Sequence, residues 1–155
     1  MQAGIAPSAA LPQEKPKVVT DAHGRMDVLH HTHAHCWACG RNPRGLNLRF
    51  VAQGNSVEAR FDCDSRYAGY GGMLHGGIVA SILDSAMTNC LFHCGVVALT
   101  VELTVRYRHP VQCNRVAVVR AWVRENRGAL WIVRAELRQE EQLKARAAAK
   151  FLRSA

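Results

Sequence analysis

The chain is poor in aromatic side chains, which make up 6% of its 155 residues, and it has only five prolines. It has no apolar run near the roughly 18–20 residues needed to cross a bilayer. The longest apolar stretch, residues 78–91, is broken by Ser81, Asp84, Ser85, Thr88 and Asn89. Its opening residues, Met1 to Pro7, carry neither a basic region nor a sustained apolar core, so no signal peptide is expected and the chain reads as cytoplasmic. Lysines and arginines never gather into a compact run. With so few aromatics beside them, this argues against a nucleic-acid interface.

What is present fits one α+β domain. A hydrophobic content of 48% and 21% charged residues are ordinary for a water-soluble globular chain of this length. The formal charge of +8 favours an anionic partner, the classes being nucleic acid, a membrane surface or a phosphorylated cofactor. Its arginines are spread along probable strands, among them Arg106, Arg108 and Arg127. Six cysteines without an export signal read as reduced thiols. Cys90 and Cys94 fall on one helical face, where packing is expected rather than a disulfide.

Residues 1–29 hold Pro7, Pro12 and Pro16 among small and polar residues without periodicity, which predicts a flexible arm before a domain over residues 30–155. Residues 30–45 form a His- and Cys-rich loop ending in the turn sequence Asn42-Pro43-Arg44-Gly45. His30, His31, His33, His35, Cys36 and Cys39, with Cys63 as a candidate neighbour in space, invite a zinc reading. Cys-x-x-Cys supplies only half of a familiar site, however, and the expectation is no metal.

Leu46, Leu48 and Phe50 alternate with polar residues, and so do Val57, Ala59 and Phe61, predicting a hairpin through Gln53-Gly54-Asn55-Ser56. A glycine-rich loop over residues 64–74 leads to His75-Gly76-Gly77. From Gly76 to about Phe92 the apolar spacing becomes helical. Gly77, Ser81, Asp84 and Thr88 then share one polar stripe. Further strands are expected from Leu99 to Tyr107, from Val116 to Val123 and from Leu130 to Leu137. The ambiguous run from Leu143 to Leu152 is read as strand on its alternation. Strands grouped around one helix imply an antiparallel sheet packed on that helix, and one helix leaves sheet surface for a second copy of the chain.

The pair of glycines after His75 is the chemical signal. Glycine allows close approach of a ligand to backbone N–H groups, and a helix beginning there presents unpaired donors and the positive end of its dipole. Asp84, nine residues after His75, adds a carboxylate. An oxyanion-binding helix start with a nearby base is a plausible acyl-transfer site.

Gly71-Gly72-Met73-Leu74-His75-Gly76-Gly77 entering a helix that carries Asp84 resembles the hotdog fold, and more narrowly the acyl-CoA thioesterases of the PaaI-like and 4-hydroxybenzoyl-CoA thioesterase group. The run from Cys36-Trp37-Ala38-Cys39-Gly40 to Leu46 resembles the opening of many members. The run from Leu99 to Pro110 resembles their strand after the central helix. Together the likeness spans residues 36–153.

The resemblance implies that Asp84 is general base or nucleophile, that a backbone N–H of Gly76 or Gly77 polarises the thioester carbonyl, and that His75 orders the loop. It implies that Thr100 helps to hold the attacking water, and that Asp84 of one chain faces Thr100 of another in a shared site of a dimer or a dimer of dimers. Gly69, Tyr70, Met73, Arg106, Arg108 and Arg127 are the expected substrate contacts, with the arginines on coenzyme A phosphates. Gly69 departs from the pattern, since many relatives carry Asn or Gln there. The implied activity is hydrolysis of an acyl-CoA to free acid and CoA, with no metal or redox cofactor and no nucleic-acid or membrane partner. A non-catalytic acyl-CoA-binding or regulatory protein is the alternative, and a hydratase or dehydratase is a third reading.

Overall fold

The computed structural model describes residues 33–153. The expected N-terminal arm, and His30 and His31, lie outside the described residues. The elements are β1 (Val51–Gln53), β2 (Ser56–Asp62), β3 (Ala68–Tyr70), β4 (Met73–Leu74), α1 (Gly76–His93), β5 (Ala98–Tyr107), β6 (Val116–Arg127), β7 (Leu130–Gln139) and β8 (Gln142–Arg153). Six strands form one antiparallel sheet in the order β1-β2-β6-β7-β8-β5, while β3 and β4 make a separate small hairpin. The sheet wraps one long helix, as the alternation of sequence patterns predicts. This is the hotdog arrangement.

Helix α1 starts at an unusual cap. His75 is extended, and its Nδ1 accepts a hydrogen bond from the Gly77 N–H. At the far end Gly95 adopts φ +70°, and the Val96 N–H returns to the Leu91 carbonyl, closing the helix with a left-handed turn. Between these ends, Val79, Ile82, Leu83, Ala86, Met87, Cys90 and Leu91 are buried. They meet Val57, Ala59, Val119, Val133, Leu137 and Phe151 of the sheet in a single core. Each such side chain contributes roughly 1.5–3 kcal/mol relative to exposure. The polar stripe of Gly77, Ser81, Asp84 and Thr88 stays out of the deep core, as its spacing predicts.

Two sequence expectations need correction. Residues 46–50 alternate and bury Leu46, Leu48 and Phe50, yet they are not a strand. Their N–H groups go elsewhere: Leu46 bonds to the Trp37 carbonyl and Leu48 to the Ala38 carbonyl. Asn47 between them has φ +52°, which breaks the extended line. The segment therefore packs along the Cys36–Cys39 loop, and the hairpin begins only at Val51. The stretch before the helix is also more ordered than an irregular loop, since Ala68 and Tyr70 pair with Leu74 and Met73.

Strand β5 stands apart from the rest of the sheet. It pairs with β8 along one side only and ends the strand order. Between Thr100 and Glu102 the pairing slips, leaving Val101 as an extra residue opposite Phe151 and Lys150. Leu99 and Val101 are 69% and 58% exposed, and Tyr107 is 55% exposed. As an end strand, β5 leaves one row of backbone N–H and C=O groups without a ladder partner in the sheet.

Candidate active site

The residues singled out from the sequence fall into two groups on α1. The first lies at the helix start. His75 Nδ1 holds the Gly77 N–H at 2.9 Å, so that donor is already used. The N–H groups of Ile78 and Val79 both return to the His75 carbonyl. Among the described residues the Gly76 N–H has no such partner, and it is the amide left to face a ligand. Since Nδ1 accepts, the neutral ring carries its proton on Nε2.

Tyr107, at the end of β5, donates its hydroxyl to the Gly76 carbonyl at 2.8 Å. Its ring lies 3.7 Å from where a Cβ on Gly76 would be. The sequence reading missed this residue's contact, although Tyr107 closes the clean alternation of its strand. Gly69 also belongs here. A Cβ at Gly69 would lie 3.1 Å from His75 Cα and 3.1 Å from its Cδ2. The glycine is thus explained by its packing against the histidine, where a larger residue would force the cap to move. Tyr70 and Met73 flank it on the β3–β4 hairpin, with Tyr70 exposed and Met73 half-buried.

The second group is two turns further along. Thr100 Oγ1 donates to Asp84 Oδ1 at 2.9 Å. Burial pushes the Asp84 carboxyl above the usual carboxylate range, and the Thr100 hydrogen bond offsets this only in part. No cation is paired with Asp84 among the described residues. A half-buried carboxylate without a counter-charge is costly to keep for structure alone.

Thr100 meets Asp84 within its own chain, where the resemblance had set it on a second one. The cause is direct: β5 runs back antiparallel to β8 beneath the helix that precedes it, which brings its first residues beside the middle of α1.

The arginines separate. Arg106 pairs in register with Arg146 and lines an open groove with Arg134 and Glu136. That groove is on the side of the sheet turned from the helix. Arg127 lies at the end of β6, where its Nε contacts Glu125 at 2.6 Å. Neither is brought to Gly76 or Asp84. Arg108 follows Tyr107 directly, with its N–H on the Lys144 carbonyl, and so stays at the Gly76 end. Two grooves of about 800 and 420 Å³ open on the outer sheet face, and neither touches His75, Gly76 or Asp84.

The cysteines divide as well. All six are free, including Cys90 and Cys94. Burial pushes the Cys90 thiol up to about 12 and Cys63 up to about 11, as expected for inert packing thiols. Cys63 lies beside Gln139 and Cys113, away from the Cys36–Cys39 loop, so it does not join that cluster.

Sequence comparison matches the thioesterase superfamily to residues 71–145. Rat acyl-coenzyme A thioesterase THEM4 is 28% identical over 115 residues, covering 70% of this chain. The chain spans half the length of that relative. Among solved structures, a thioesterase superfamily protein superposes with a TM-score of 0.73 at 20% identity, covering 77% of this chain and 60% of its own. A Streptococcus mutans protein bound to acetyl CoA superposes with a TM-score of 0.66 at 15% identity, covering 70% of this chain and 90% of its own.

Proposed function

We propose that this hotdog-fold chain is a thioesterase, hydrolysing an acyl-CoA thioester to the free acid and CoA, a reading supported by the thioesterase-superfamily match over residues 71–145 and by the likeness to an acyl-CoA thioesterase. Asp84 takes a proton from water as the water oxygen bonds to the thioester carbonyl carbon. The carbonyl oxygen becomes an oxyanion, held by the Gly76 N–H at the positive end of α1. Collapse breaks the carbon–sulfur bond, and the proton on Asp84 passes to the departing CoA sulfur. The observation that carries this reading is Asp84 itself, half-buried, raised in pKa and held by one hydroxyl without a cation. A carboxylate whose pKa is raised by burial is a stronger base than a free one.

The two parts of the machinery are too far apart to serve one substrate within one chain. Eight residues separate Gly76 from Asp84, or about 12 Å along the axis at 1.5 Å per residue. A donor about 3 Å from the oxyanion and a base about 3 Å from the water cannot span that distance. The site we propose is therefore shared, with Gly76 of one protomer facing Asp84 of its partner in a homodimer built on the exposed β5 edge. His75 is its positioning residue, and Thr100 orients the carboxylate of its own chain. Tyr70 and Met73 line the acyl entrance, while Arg108 reaches the CoA phosphates, for which its planar fork is suited. The acetyl-CoA-bound relative of the same fold supports CoA as the carrier.

A non-catalytic acyl-CoA binder remains the competing reading, since Gly69 supplies no polar side chain beside the histidine. A hydrolysis screen over short-chain, long-chain and aromatic acyl-CoAs, with wild type and Asp84→Asn, decides between them. Turnover by wild type that Asp84→Asn loses is the expected result. Tight acyl-CoA binding with no turnover of any substrate would establish the binder instead.

A further inference from the structure

The Cys-x-x-Cys pair gains a third partner in space. His33, Cys36 and Cys39 place one nitrogen and two sulfurs all within 4.8 Å of one another. His33 Nδ1 lies 3.5 Å from Cys39 Sγ. Tetrahedral zinc, with bonds of about 2.3 Å to sulfur and about 2.0–2.1 Å to nitrogen, sets such neighbours roughly 3.6–3.8 Å apart. The three ligand atoms therefore need to move little to meet one ion.

We propose that His33, Cys36 and Cys39 bind one Zn2+ per chain, with water in the fourth position. Two thiolates and a neutral imidazole match the charge and softness of Zn2+. Binding releases the two thiol protons to solvent.

The surroundings are built for this. Asn89 Nδ2 donates to Cys39 Sγ at 3.4 Å and to the Ser85 carbonyl at 2.8 Å, so the thiol is oriented from the central helix. The His33 ring stands edge-on to Phe92 at 5.1 Å. Gly40 closes the turn where no side chain fits: a Cβ there would fall 2.5 Å from the Ala34 carbonyl oxygen and 2.5 Å from the Cys36 nitrogen. That tight turn holds both thiols on one side. An ion here would close the loop before β1 on itself, and Asn89 already ties that loop to α1 through Cys39.

The site is testable without any substrate. Reduced wild-type protein, stripped and reloaded, should hold one equivalent of Zn2+ against a weak chelator. Co2+ in its place should show thiolate-to-metal charge transfer and tetrahedral d–d absorption. Cys36→Ser and Cys39→Ser should each remove the charge-transfer band, while Cys113→Ser, as a control outside the cluster, should keep it. Asn89→Ala should weaken zinc binding by about 10–100-fold, the usual effect of losing a group that orients a ligand. Circular dichroism identifies any variant that fails to fold, and the wild-type cobalt spectrum needs no variant. Failure of reduced wild type to retain Zn2+, or cobalt binding without a thiolate band, would overturn the proposal. Neither result bears on hydrolysis, so it stands apart from the proposed activity.

Discussion

The start of α1 and its middle handle polarity in opposite ways. At the start every group but one is matched: His75 takes the Gly77 N–H, Tyr107 takes the Gly76 carbonyl, and the Gly76 N–H alone is left. At the middle Asp84 keeps a charge that the fold does little to offset, with one hydroxyl from Thr100 and no cation. The first region holds an N–H without an acceptor; the second holds a half-buried carboxylate with one donor and no cation. Each is incomplete in the way the other could complete, but about 12 Å of helix keeps them apart in one chain.

That contrast can be broken from either side. Removing the carboxylate has the largest expected effect: Asp84→Ala should lower kcat by about 10²–10⁴-fold, measured on whichever acyl-CoA the screen identifies. Gly76→Pro should cost about 10²–10³-fold, because it deletes the N–H at the first helical position, where proline is tolerated. His75 is already extended, as a residue before proline must be. Mixed dimers of Asp84→Asn and Gly76→Pro chains sharpen the point. With a shared site each mixed dimer regains one working centre, whereas a site built within one chain would stay dead in every mixture.

Smaller changes follow. Thr100→Val should lower kcat about tenfold, as expected for losing a hydrogen bond to a charged group. That bond lowers the Asp84 pKa, so losing it should move the acid limb of the kcat/KM profile to higher pH. Tyr107→Phe frees the Gly76 carbonyl and should cost about fivefold, near 1 kcal/mol. The gentlest test is thermal. The folded-state pKa of Asp84 is raised, so its ionised form destabilises the fold above that pKa and not below the ordinary carboxylate range. Asp84→Asn should therefore raise Tm at neutral pH, with the gain fading as the pH falls into the acid range. A Tm gain that is the same at both pH values would refute the burial argument.

Much of the architecture was legible because period and position agreed. The run from Leu130 to Leu137 and the alternation within residues 143–152 placed β7 and β8 within a residue or two, and helical spacing placed α1. Alternation misled at Leu46, Leu48 and Phe50, since burying every second residue does not require a ladder partner, and those N–H groups bond to the Cys loop instead. The turn at Glu140 and Glu141, both at positive φ, carries no glycine to signal it. At the candidate site, His75, Gly76 and Asp84 could be picked out from spacing. The Tyr107 hydroxyl on Gly76 could not, because 31 residues separate them and no local pattern records where a strand end meets a helix start. The sequence put four histidines beside the Cys-x-x-Cys pair, and only the fold of that loop shows that His33 brings its ring nitrogen within 4.8 Å of both thiols.

The extra residue at Val101 has a consequence for how this strand can vary. It acts as a phase shifter, letting Thr100 look toward Asp84 while Leu103, Val105 and Tyr107 still alternate toward the helix side in step with Ala149, Ala147 and Ala145. Deleting it would bring the strand back into single phase. Either Thr100 would swing to the far side of the sheet, or the whole run to Tyr107 would invert. Sequence drift is therefore tolerable in what Val101 is, but not in whether a residue stands there.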